Sequence, residues 1–145
     1  MNTKKLSLYA TALLSTALIL GACTDKEIVK NAPTNEEIQS EFGFRSFDLD
    51  IDTVKKRDAI EASFDLDMSE TEAEYKNKLN NIKLSGDKAY SELQPIFKEL
   101  GLTTDMSREE VIEKVSKAFG AEDYAEFDLE IEFTDGSEQE FSDMK

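Results

Sequence analysis

Six residues, Phe47-Asp48-Leu49-Asp50-Ile51-Asp52, alternate apolar and acidic without a break. Successive side chains of an extended chain point to opposite faces, so this pattern fits a strand with one dry face and one wet face. In a helix the same residues would scatter around the axis. The pattern recurs in Ile60, Ala62, Phe64, Leu66 and Met68, which share one phase, and in Phe127-Asp128-Leu129-Glu130-Ile131-Glu132-Phe133. Thr53 to Asp58, carrying Lys55-Lys56-Arg57, reads as the turn that joins the first two runs into a hairpin. After the third run come Thr134-Asp135-Gly136-Ser137 and a shorter run from Glu138 to Phe141, and Asp-Gly flanked by alternation is a strong hairpin signal. Phe-Asp-Leu-Asp/Glu therefore occurs at Phe47, Phe64 and Phe127, as a duplication or three strands obeying one alternation would each produce, and the second reading is preferred here.

The middle of the chain changes period. Tyr90, Leu93, Phe97 and Leu100 fall on one helical stripe, with Gly101 just past the last apolar position as a left-handed stop. Pro95 lies inside that stripe, where it removes one backbone donor and predicts a kink or a broken first turn. Ser107-Arg108-Glu109-Glu110 then has the form of a capping box, opening a helix with Val111, Ile112, Val115, Ala118 and Phe119 that ends at Gly120. Two antiparallel helices joined by a short loop are expected. Glu70 to Leu84 supports two readings. Glu70, Glu74 and Lys78 have helical spacing, while Ala73, Tyr75, Asn77 and Leu79 would alternate along an exposed third strand, the reading preferred here.

The N-terminus carries an address. Lys4 and Lys5 precede an uncharged apolar run from Leu6 to Leu20, and the small residues Gly21 and Ala22 precede Cys23, the order of a secretory signal peptide. A helix over that run would reach only about 22 Å, short of a bilayer core of ~30 Å. Leu20-Gly21-Ala22-Cys23 resembles the lipobox of bacterial lipoproteins. The resemblance implies a diacylglyceryl group on the Cys23 sulfur, cleavage after Ala22, and a two-chain anchor on the extracytoplasmic side of the cell membrane. Cys23 is the only cysteine, so no intrachain disulfide can form, and an acylated Cys23 is no nucleophile or metal ligand. Residues 1–22 are thus expected to be a lipoprotein signal peptide, and 23–42 a lipidated cysteine with a flexible polar tether. Ile28, Val29 and Ile38 look too sparse to build a core there, although Asn35 has the chemistry to cap a short helix. Residues 43–145 are expected to form a single domain.

Composition narrows the chemistry. Without the leader the chain keeps 15 basic and 32 acidic residues, a net charge of −17. That sign opposes nucleic acid and anionic lipid surfaces and suits solubility, cationic partners or divalent metal ions, with a plain solvated acidic surface the preferred reading. The absence of histidine removes the commonest general base and metal ligand. Asp48-x-Asp50-x-Asp52 offers clustered carboxylates of the kind calcium takes, but Thr53 and Ala59 stand where an EF-hand loop needs glycine and glutamate. An extended strand also spaces alternate carboxylates about 6.6–6.8 Å apart. Asp48, Asp50, Asp52, Asp65 and Asp67 are therefore only weak metal candidates, able to pool with Asp128, Glu130 and Glu132 on one sheet face. No catalytic residue and no cofactor is assigned. A cationic ligand would use this acidic face, whereas an apolar protein or peptide partner would use rim residues such as Phe42, Phe44 and Tyr124. The expected function is non-catalytic binding or interaction at the cell surface, of unknown specificity, with a carboxylate hydrolase or a calcium-binding surface protein as the alternatives.

The lipobox, the paired strands, Gly86…Ala89…Leu93…Leu100, Glu110-Val111-Ile112 to Ala118-Phe119, and Phe127-x-Leu-x-Ile-x-Phe-x-Asp-Gly136 together resemble the YusW-like proteins of Bacillus-type bacteria over about Phe44 to Phe141. The resemblance supports location and fold and brings no catalytic residues. The expected fold is α+β, an antiparallel sheet of four to five strands packed on one face by a two-helix hairpin in the order β-β-(β)-α-α-β-β.

Overall fold

The computed structural model describes residues 27–145. Its elements in chain order are β1 (Glu27–Ile28), α1 (Asn35–Phe42), β2 (Phe44–Thr53), β3 (Ile60–Leu66), β4 (Thr71–Asn77), β5 (Ile82–Ser85), α2 (Gly86–Leu100), α3 (Arg108–Ala118), β6 (Tyr124–Phe133) and β7 (Glu138–Met144). The fold is α+β, with an antiparallel sheet in the order β1-β4-β3-β2-β6-β7 and β5 paired to β4. Seven strands replace the expected four to five. The two additional ones are β1, of two residues, and β5, of four.

The alternating runs fold as their period demands. Phe47, Leu49, Ile51, Phe64, Phe127, Leu129 and Ile131 are buried, and the acids between them lie on the opposite face. A register shift between Phe44 and Ser46 bulges the start of β2. It brings Phe44 and Phe47 to the same face although they are three apart, their rings 5.5 Å from centroid to centroid. The phase of the second run ends at Leu66. Met68, expected on the core face, sits in the β3–β4 loop and is 89% exposed. The strand reading of Glu70 to Leu84 holds for Thr71–Asn77, but β4 is an interior strand rather than an exposed one. Ala73, Tyr75 and Asn77 are buried, while Leu79 lies in the turn beyond them.

Helix α2 is continuous through Pro95, whose side chain points to solvent. Its stripe buries Tyr90, Leu93, Phe97 and Leu100, and Gly101 is left-handed as expected. Ser107 caps α3, its Oγ accepting from the Glu110 amide at 3.2 Å. Gly136, with φ of 87°, closes the β6–β7 hairpin by donating to the Phe133 carbonyl at 3.0 Å.

The segment expected as a flexible tether is folded from Glu27 onward. Thr34, not Asn35, caps α1 through a reciprocal box with Glu37, whose side chain accepts from the Thr34 amide at 2.9 Å. Asn35 instead donates to the Asp67 carbonyl at 3.1 Å. Val29, Ile38 and Phe42 are buried in the main core. Sequence spacing made them look sparse, but pairing with β4 and stacking among distant aromatic rings give them partners that no local window contains. Gly86 permits the closure, since with φ of 59° a Cβ there would meet the Ile28 carbonyl at 3.0 Å.

Candidate functional site

The wet face of the sheet is built by the same alternation that builds the core. Register fixes which side chains meet across it. One rung joins Asp48 on β2 to Glu130 on β6 and Glu140 on β7. The next joins Asp50 to Asp128, and a third joins Asp52 to Glu126. On the other side of the Asp48 rung, Glu132 stands opposite Glu138. Directly opposed side chains lie about 4.5–5.5 Å apart at Cβ, and like charges so placed destabilise a sheet. The β2–β6–β7 strip therefore holds acid against acid, rung after rung.

Basic groups gather at its margins. Arg45 reaches Glu132 at 3.3 Å and Arg57 approaches Asp52 at 4.0 Å. On the β3–β4 half, Lys76 clasps Glu74 at 2.5 Å and approaches Glu61 at 4.0 Å. Three open recesses lie on the strip, the smallest, of about 210 Å³, lined by Asp48, Asp50, Asp128, Glu130 and Glu140. One of about 430 Å³ is lined by Asp48, Glu130, Glu132, Glu138 and Glu140, and one of about 310 Å³ by Asp50, Asp52, Asp58, Glu126 and Asp128 together with Arg57.

The tightest cluster is Asp50, Asp52 and Asp58, each offering a carboxylate oxygen within 4.8 Å of the others. Asp58 belongs to the β2–β3 turn and was not a candidate from sequence. Its left-handed backbone, φ of 46°, folds it back so that its amide donates to Asp52 Oδ1 at 2.6 Å. A turn of this kind leaves no mark in the alternation pattern. Of the sequence candidates, Asp48, Asp50 and Asp52 share the face, and Asp65 joins it one strand away, opposite Ser46 and Glu72. Asp67 does not, because β3 has ended and its Oδ1 accepts from the Met68 amide at 2.6 Å. Cys23 lies outside the described residues. Phe42, Phe44 and Tyr124 are core rather than rim, at most 5% exposed. Tyr124 also donates to Asp143 Oδ2 at 2.6 Å.

Asp50 shows the electrostatic stress of the face. Crowding by neighbouring side chains, then repulsion from Asp58, Glu61, Asp52 and Asp128, pushes its carboxyl up to about 6. A carboxyl with a raised native pKa holds its proton more tightly folded than unfolded, so its contribution to stability is greatest below pH about 4 and is lost as pH rises through about 6. Asp50→Asn is thus expected to raise stability at pH 7, by roughly 1 kcal/mol after discounting for the solvent exposure of this side chain. Thermal melts of both proteins from pH 4 to pH 8 check this. The gap must open as pH rises, and equal melts at every pH would contradict it.

Residues 45–135, from β2 to the β6–β7 turn, match the family model of YusW-like proteins. The chain belongs to the YusW-like family. It is 34% identical over 73 residues to the uncharacterized protein YusW of Bacillus subtilis (strain 168), covering 50% of this chain and 50% of that one. The chain thus spans about half the length of the curated relative it matches. No solved structure matches. The family match includes the acidic rungs of β2 and β6 and stops short of β7, and it excludes β1 and α1. Among the described residues no helix is long and apolar enough to cross a membrane.

Proposed function

We propose that this protein is a membrane-anchored, extracytoplasmic, non-catalytic binding domain whose acidic sheet face takes a cationic partner. The observation that carries the reading is the run of acid-on-acid rungs on β2, β6 and β7. A solvated surface needs charge but not like charges in register, an arrangement that costs stability and is relieved when a cation sits between them. An extended basic peptide suits the face, because its alternate side chains repeat at about 6.6–6.8 Å, the spacing of the carboxylate rows. Non-catalytic binding is favoured over hydrolysis by placement. Asp50, the acid with raised proton affinity, stands on an open face, and Glu74, the buried one, is held by Lys76 at 2.5 Å. The location rests on the Leu20-Gly21-Ala22-Cys23 motif.

A seven-residue peptide with alternating lysines is expected to bind the soluble domain, with affinity falling as salt rises. Asp48→Asn, Asp128→Asn and Glu130→Gln together should weaken binding at least tenfold, and undiminished affinity in that variant would sink the reading. For the location, Cys23→Ser in the expressing cell should release the protein from the membrane fraction, and continued retention would contradict acylation.

Calcium is a second reading, favoured by the three convergent oxygens of Asp50, Asp52 and Asp58. Millimolar calcium at constant ionic strength would then raise the melting temperature of the domain but not of an Asp52→Asn variant. An unchanged melt removes this reading.

A further inference from the structure

The distance from the acylated residue to the fold says how the domain meets the bilayer. Only Thr24, Asp25 and Lys26 separate Cys23 from β1. Four Cα steps span at most about 14 Å even when fully extended. A tether of some twenty residues would have held the domain several times farther away and left it free to tumble. With so short a reach, whatever surrounds β1 lies at the headgroups.

β1 is firmly part of the fold. Glu27 and Ile28 pair with Ala73 and Glu72, and the Val29 amide donates to the Thr71 carbonyl at 2.7 Å. The Asn31 amide and side chain both bond the Asp87 carboxylate, at 3.0 and 3.2 Å. Around this corner two large apolar side chains face solvent, Ile28 at 48% and Met68 at 89% exposed. Met68 hangs from the β3–β4 loop that leads directly into Thr71, the partner of Val29. A thioether and a branched alkyl side chain are suited to the headgroup–acyl boundary.

Across the sheet, charge opposes an approach by the acidic strip. Strands lie about 4.8 Å apart, so β2, β6 and β7 stand roughly 14–24 Å from β1 along the order β1-β4-β3-β2-β6-β7. That is beyond one Debye length of about 8 Å, while laying the acidic strip on an anionic leaflet would bring its carboxylates inside it. We infer that the domain stands on the β1 corner of its sheet, with Ile28 and Met68 at the bilayer interface and the acidic strip directed away from the membrane. The inference rests on the acylation of Cys23 and deepens the proposed function, because it leaves the binding face open to partners outside.

One rung supplies the ruler. Ile28, Glu72, Asp65, Ser46, Glu132 and Glu138 follow one another from the anchor edge to the far edge. In the full-length acylated protein, Met68→Cys and Glu138→Cys each place one labelled thiol on an exposed site, Cys23 being blocked by its lipid. Reconstituted in vesicles of phosphatidylglycerol and phosphatidylcholine with a spin-labelled headgroup quencher, the label at 68 should be quenched at least threefold more than that at 138. Equal or reversed quenching on vesicle-bound protein overturns the orientation while leaving the anchor intact. Protein that does not sediment with vesicles overturns the anchor and the orientation with it. Inserting twenty Gly/Ser residues between Lys26 and Glu27 should erase the difference, and a difference that survives the insertion overturns the short-reach argument.

Discussion

Phe97→Ala is expected to destabilise the domain by about 3–5 kcal/mol. Phe97 is fully buried and is the hub of the aromatic core, with the rings of Phe42, Phe44, Phe47 and Phe64 at 5.3, 5.1, 4.8 and 5.6 Å from its own. Those four rings come from α1, β2 and β3, so none can move in to fill the space without breaking its own register. The cost is therefore the lost transfer energy plus a cavity that does not collapse. Total stabilities of about 5–15 kcal/mol leave little margin for such a loss. Urea unfolding measures it as a fall in midpoint at constant slope. A cost below 1 kcal/mol would mean the ring is not packed as described.

Removing residues 27–42 is expected to have a larger effect. Val29, Ile38 and Phe42 are all buried in the main cluster, and each such side chain contributes about 1.5–3 kcal/mol on burial, so roughly 4.5–9 kcal/mol is lost together. The deletion also uncovers the rings of Phe44, Phe64, Tyr90 and Phe97, which Phe42 contacts in the intact protein. A chain begun at Gly43 should lose its near-ultraviolet circular dichroism and melt without a cooperative transition, while one begun at Glu27 keeps both. Identical melts would show that β1 and α1 are appendages.

These two expectations mark the boundary of what the sequence discloses. The strands with strict alternation, β2 and β6, and the stripe of α2 are legible because one period sorts every residue to a face. The Ser107 cap and the Gly136 turn are legible because a side-chain oxygen or a left-handed backbone is needed at one fixed position. What stays hidden depends on partners far away in the chain. β1 has two residues and exists only because β4 offers an edge, and β5, with Ile82, Lys83, Leu84 and Ser85, is too short to show a period. Ile38 and Phe42 read as isolated apolar residues until the aromatic core surrounds them. Met68 continues the phase of β3 on paper, yet the chain has already turned after Leu66.

The site divides in the same way. That β2 and β6 would carry acids on one face follows from alternation, but which acids oppose one another is a matter of register, and register is set across strands. Asp58 enters the Asp50–Asp52 cluster only through a left-handed residue in the turn, and Asp67 leaves the face only because its strand has ended. Phe42, Phe44 and Tyr124 look like rim residues from their polar neighbours, yet a bulge, a helix end and a hydroxyl bonded to Asp143 let each bury its ring.

The central claim is that the β2–β6–β7 face is a binding surface for cationic partners. The most direct measurement is the change in amide chemical shifts of the isotopically labelled domain on adding the alternating-lysine peptide at low salt. The account predicts shifts concentrated at Asp48, Asp50, Asp128, Glu130 and Glu140 and absent from α2 and α3. Shifts spread over the helical layer, or none at millimolar peptide, would contradict it.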